Sequence, residues 1–176
     1  MTIITAFYAQ PMILIYLEAL AMFVIWTAAM LLLRGKERRI AALAGAVVSF
    51  ALILFFTMYG RSGKMDTVPD FLPLVNFVES DIKLELWRSM FLNIMLFIPL
   101  GLSLPFVLSE KVKHNILITV LSGAAVSAIV ELVQLVFSIG KFEFNDIIMN
   151  TLGTAIGTLS YLLVSLILKK ADERSS

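Results

Sequence analysis

Two carboxylates and two carboxamides stand close together in the C-terminal third of the chain: Glu131 and Gln134 in ELVQ, then Asp146 and Asn150 in NDIIMN. Both lie in apolar surroundings, where an ionisable side chain at the centre of a membrane helix costs about 2.5 to 3.5 kcal/mol and usually marks a site. A carboxylate pair flanked by amides suits recognition of a polar headgroup or of a cationic or peptidic ligand. It also suits general acid–base work if burial raises one carboxyl pKa. Glu131 and Asp146 are therefore the candidate catalytic residues, while a metal site is not expected because nothing in the pattern fixes a coordination shell. The alternative role is cohesion. Each interhelical side-chain hydrogen bond supplies only about 0.6 kcal/mol in membranes, a small return against inserting two carboxylates.

Helical spacing positions these groups. Gly123, Ser127, Glu131 and Gln134 follow steps of four, four and three, and Asp146, Asn150, Gly153 and Gly157 follow steps of four, three and four, so each set forms one stripe. The intervening FSIGKFEFND is short, which makes the two helices antiparallel neighbours with their stripes at one depth. Gly153 and Gly157 form a GxxxG element suited to close helix packing. Upstream, RSMFLNIMLFIPLGLSLPF places Arg88 at a helix mouth and Asn93 below it, in the same layer. Pro99 and Pro105 there free the carbonyls of Met95 and Gly101, and Gly101 permits close approach at the kink. Glu18 is a further deep carboxylate, which either completes the cluster or pairs with a neighbour such as Arg88.

Composition names the solvent. Hydrophobic residues make up 60% and charged residues 15% of the 176, and mean hydropathy is +0.94, against roughly 45 to 50% and 25% in soluble domains. About 20 apolar residues span a bilayer, and five segments qualify: 12–33, 40–60, 89–108, 115–137 and 147–168. The fold class is thus all-α, a polytopic membrane helical bundle. A single transmembrane domain is expected over residues 1–170, followed by a short, frayed cytoplasmic tail, 171–176. The first apolar run lacks a preceding basic region, so it reads as a retained helix and not as a signal peptide.

Charge sets the expected orientation. Nine basic residues (Arg34, Lys36, Arg38, Arg39, Lys111, Lys113, Lys169, Lys170 and Arg174) fall on one side, and five (Arg61, Lys64, Lys83, Arg88 and Lys141) fall on the other over longer loops. The positive-inside rule then predicts the N-terminus out and the C-terminus in, with the polar layer toward the outer leaflet. Residues 61–88 form the one long connection, and Pro69 and Pro73 interrupt its apolar DTVPDFLPLVNFVES, which reads as an interfacial or re-entrant segment or a solvated loop.

Several function classes fall away. There is no cysteine, which removes disulfides, thiolate nucleophiles and Cys-based zinc sites, and His114 alone supplies no multi-histidine site. A net charge of +1 offers no field for nucleic acid. No phosphate loop, nucleotide fingerprint or HExxH is present, so no cofactor is expected.

NIMLFIPLG, ELVQ and GKFEFNDIIMNTLGTAIG together resemble the VanZ-like family of bacterial membrane proteins, best over residues 88–157. The resemblance carries the family's polar positions onto Arg88, Asn93, Pro99, Gly101, Glu131, Gln134, Asp146, Asn150, Gly153 and Gly157. Members commonly have Arg where Lys141 stands, Asp where Glu143 stands and Asp where Asn145 stands. Lys lacks the bidentate fork of Arg. The resemblance implies a multi-pass protein of the bacterial cytoplasmic membrane in contact with membrane lipids. It also implies a link to glycopeptide resistance, since the founding member confers low-level resistance to teicoplanin-type lipoglycopeptides. Arg88, Asn93, Glu131, Gln134, Lys141, Asp146 and Asn150 are then the candidate ligand-binding set, with Gly101, Gly153 and Gly157 packing helices. Three functions remain open: binding a lipid-linked cell-wall precursor or lipoglycopeptide, an intramembrane enzyme acting on a lipid headgroup or wall precursor, or a structural partner with no ligand.

Overall fold

The computed structural model describes residues 12–58, 83–108, 114–139 and 142–174. They form five helices: α1 (Met12–Leu32), α2 (Gly35–Met58), α3 (Lys83–Val107), α4 (Asn115–Phe137) and α5 (Phe144–Glu173). The all-α expectation holds. Four helices contain stretches long and apolar enough to cross a membrane: Gly35–Met58, Trp87–Val107, Asn115–Phe137 and Phe144–Glu173. In α1 the apolar stretch is Tyr16–Leu32, and the whole helix of 21 residues measures roughly 31 Å at 1.5 Å per residue.

Three helices outrun their predicted apolar spans. α2 starts at Gly35 instead of residue 40, α3 at Lys83 instead of 89, and α5 extends over 144–173 instead of 147–168. Hydropathy locates the hydrocarbon boundary, but a helix continues past it where the flanking residues are good helix formers. Lys36, Glu37, Arg38 and Arg39 are of that kind, as are Lys169, Lys170 and Ala171. The turn between α1 and α2 is only Leu33 and Arg34, closed by Gly35 at φ +47°, a conformation that glycine adopts without a Cβ penalty.

Burial is inverted relative to a protein in water. Ile25, Val136 and Phe137 are 67 to 69% exposed, while Glu131 and Gln134 are 2% and 1% exposed. Apolar side chains face outward on every helix, a surface that only hydrocarbon solvates without cost.

The helices alternate in direction. Tyr16 meets Phe91 edge-to-face and Trp26 Nε1 donates to Ser103 Oγ at 2.9 Å, so α1 runs parallel to α3. Arg39, near the start of α2, donates to the Val107 carbonyl at the end of α3, making those two antiparallel. α3 and α5 form the tightest pair and run parallel: the Ile94 carbonyl faces Gly153, the Ile98 carbonyl faces Gly157, and Phe106 meets Tyr161 edge-to-face. A Cβ on Gly101, Gly153 or Gly157 would lie 2.1 to 2.2 Å from a backbone oxygen of the partner helix, so glycine is what sets this separation. Pro105 deprives the Gly101 carbonyl of its helical donor, and the Thr158 hydroxyl of α5 lies 3.4 Å from that oxygen while bonding chiefly to the Thr154 carbonyl at 2.8 Å.

Two apolar clusters fill the interior. Met30, Ala42, Leu102 and Val164 pack at the end carrying the basic residues of α2 and α5. Ile53, Phe97, Leu100 and Val130 pack nearer the middle. The opposite end is held together by polar groups.

Candidate functional site

The stripes of α4 and α5 face each other. Ser127, Glu131, Gln134, Asp146 and Asn150 are all at most 7% exposed. Asn150 Nδ2 donates to Ser127 Oγ at 2.8 Å, joining the helices directly. The Glu143 amide at the mouth of α5 donates to Glu131 Oε2 at 2.8 Å. Gln134 Nε2 reaches across to α2 and donates to the Thr57 carbonyl at 2.9 Å. That bond ties α4 to the last described turn of α2. Below this layer Gly123 makes room for Thr154, whose Oγ1 donates to the Asn150 carbonyl at 3.0 Å.

The chain reversal that brings the stripes together is set by Ser138, at φ 54° in the left-handed region. The Ile139 amide returns to the Gln134 carbonyl at 3.1 Å and the Ser138 amide to the Leu135 carbonyl at 3.3 Å. Such a C-terminal cap ends a helix within one turn. Glu131 lies six residues from the end of α4 and Asn150 six from the start of α5, about 9 Å in each case. The equal depth read from spacing is present in the structure.

Not every candidate joins this layer. Asn93 lies on another wall, in a cavity of about 340 Å³ between α1, α2 and α3. Glu18 lines the same cavity and does not complete the α4–α5 cluster. Arg88, by contrast, is half-buried in the first turns of α3 and engaged in an interaction, as Glu131, Gln134 and Asp146 are. Lys141 and the segment DTVPDFLPLVNFVES lie outside the described residues. Gly101, Gly153 and Gly157 do pack helices, with α3 as the partner of the GxxxG element. Ser49, Thr57 and Ser89 escaped the sequence reading although they line the cavity. Gly45, Ser49, Ile53 and Thr57 recur every four residues and are all buried, and that stripe was the available signal.

The chemistry open to the buried layer is that of two carboxylates and two amides in a low-dielectric setting. Among the described residues Asn150 Oδ1 is buried without a hydrogen-bond partner, so the layer retains an acceptor. Among the described residues no three His, Cys, Asp or Glu side chains converge to hold a metal.

A helical bundle with exposed apolar flanks and a buried polar layer near one end is a polytopic membrane protein. The chain belongs to the VanZ/LLP1 family, whose model matches residues 13–166. The match takes in α1 and α2, which the sequence resemblance covered only as hydrophobic helices. No curated protein and no solved structure matches the chain.

Proposed function

We propose that this protein is a binding protein of the bacterial cytoplasmic membrane that engages an amphiphilic cell-envelope component at the outer leaflet. The component is a lipid-linked cell-wall precursor or a lipoglycopeptide of the teicoplanin type, and resistance to such antibiotics follows from its capture or displacement. The observation that carries this reading is the retention of Glu131 and Asp146, 2% and 7% exposed, in one layer near the end where α4 turns into α5. Cohesion alone is a poor return on burying two carboxylates. Their amide neighbours are tied to Ser127 and to the Thr57 carbonyl, which preorganises the layer for a polar group entering from that end. The charge bias of the loops favours an outward orientation.

The test is saturable binding of a labelled lipid-linked disaccharide–pentapeptide, and of a fluorescent lipoglycopeptide, to proteoliposomes of the full chain. Binding of either without product is the expected result. Product formation would assign an enzyme instead, and failure of both ligands to bind would overturn the reading.

A further inference from the structure

The cavity between α1, α2 and α3 adjoins the α4–α5 layer only through Thr57, whose carbonyl accepts from Gln134, and its wall has a definite polarity. Its lining is mostly apolar, with Met22, Phe23, Leu52 and Phe56 on α1 and α2 and Leu92 and Leu96 on α3. Five polar residues interrupt it: Glu18, Ser49, Thr57, Ser89 and Asn93. A volume of about 340 Å³ falls in the range of small-molecule sites, about 300 to 1,000 Å³.

The hydrogen-bond inventory restricts what fits. Ser49 Oγ donates to the Gly45 carbonyl at 2.7 Å and Thr57 Oγ1 to the Ile53 carbonyl at 2.6 Å. Each hydroxyl has one hydrogen, so both offer only lone pairs to the cavity. The Glu18 carboxylate is a further acceptor, and among the described residues no basic one lines the cavity. Asn93 Nδ2 is the counterpart: a buried donor without a partner among the described residues. A matching ligand therefore brings several N–H donors and positive charge to Glu18, one acceptor to Asn93, and hydrocarbon to the remaining wall. Glu18 is exposed on α1, so such a ligand can reach it from the surrounding bilayer. This also accounts for a carboxylate kept on a lipid-facing helix, since intramembrane ionisable residues face a cavity or a partner.

We propose that this cavity binds a membrane lipid whose headgroup carries a primary ammonium, with the ammonium at Glu18, a phosphate or ester oxygen at Asn93, and one acyl chain along Met22, Phe56 and Leu92. The inference does not depend on a role for Glu131.

The full chain is purified from membranes, reconstituted with equimolar phosphatidylethanolamine, phosphatidylcholine and phosphatidylglycerol, extracted, and analysed by native mass spectrometry for retained lipid. Phosphatidylethanolamine is expected to be retained over both others by about fivefold or more, a difference near 1 kcal/mol. Choline is the informative control, since it keeps the positive charge and lacks the N–H donors. Glu18→Gln should abolish the preference, and Asn93→Leu should lower retention while leaving the headgroup order unchanged. Equal retention of the three lipids, or preference for phosphatidylglycerol, overturns the proposal. Should Glu18→Gln fail to fold, Ala19→Phe fills the cavity and leaves the carboxylate in place; undiminished phosphatidylethanolamine there also overturns it. Retention unchanged in Glu131→Gln separates this site from the α4–α5 layer.

Discussion

At the scale of single residues, the buried layer separates the cost of removing charge from the cost of removing a hydrogen-bond partner. Glu131 accepts from the Glu143 amide, and Gln retains an oxygen at that place. Glu131→Gln is therefore expected to lower stability by under about 1 kcal/mol, whereas Glu131→Ala strands a part-buried N–H and should cost about 1 to 3 kcal/mol. Thermal unfolding in one detergent compares the two, and equal losses would show that the Glu143 bond contributes little. Asn150→Ala removes the bond to Ser127 and should cost about 0.6 to 1.7 kcal/mol, the range for interhelical bonds in membranes. Spacing alone revealed that Glu131, Gln134, Asp146 and Asn150 share a layer, because helical periodicity fixes which side chains share a face. It did not reveal that Asn93 and Glu18 belong to a different wall. That depends on how α1 and α3 rotate about their axes, which is decided by contacts such as Tyr16 with Phe91 and Trp26 with Ser103, between residues far apart in sequence.

Among the elements, α3 and α5 form the pair whose geometry the sequence over-determines. The glycine positions leave no space for a methyl: Gly153 and Gly157 face the Ile94 and Ile98 carbonyls at 2.2 and 2.1 Å from where a Cβ would be. Gly153→Ala or Gly157→Ala forces the backbones apart and should destabilise by about 1 to 3 kcal/mol. A larger Gly153→Leu change should abolish the folded state in detergent, as read by monodispersity on size exclusion. Tolerance of Gly153→Leu with unchanged unfolding would mean that α3 and α5 are not packed as described. GxxxG was legible as a packing motif, yet its partner was not, since small residues say how closely a helix approaches and not which one it meets. The helices outrun their apolar spans for a related reason. Arg39 continues α2 beyond its apolar stretch, and its guanidinium then reaches the Val107 carbonyl at the close of α3, where positive charge is favoured by the helix dipole.

For the whole molecule, the polar layer lies at the end of the bundle opposite Lys36, Arg38, Arg39, Lys169 and Lys170. The absence of cysteine permits single-cysteine labelling without background. Ser138→Cys, in the turn beside the polar layer, should react with a membrane-impermeant maleimide on intact cells, and Arg174→Cys only after lysis; the reverse pattern would invert the orientation and place the layer inside. The bilayer class was plain from composition. The ligand was not, because it depends on which polar atoms remain unspent after folding, such as Asn150 Oδ1 and Asn93 Nδ2. The most direct measurement of the central claim is the affinity of a fluorescent lipoglycopeptide, or of the lipid-linked precursor, for wild-type and Glu131→Gln protein in matched proteoliposomes, alongside their unfolding midpoints. If the layer serves a ligand, affinity falls about tenfold, near 1.4 kcal/mol, while the midpoint moves by only a few degrees. Unchanged affinity with a lowered midpoint would contradict that account and leave Glu131 as a residue that only holds helices together.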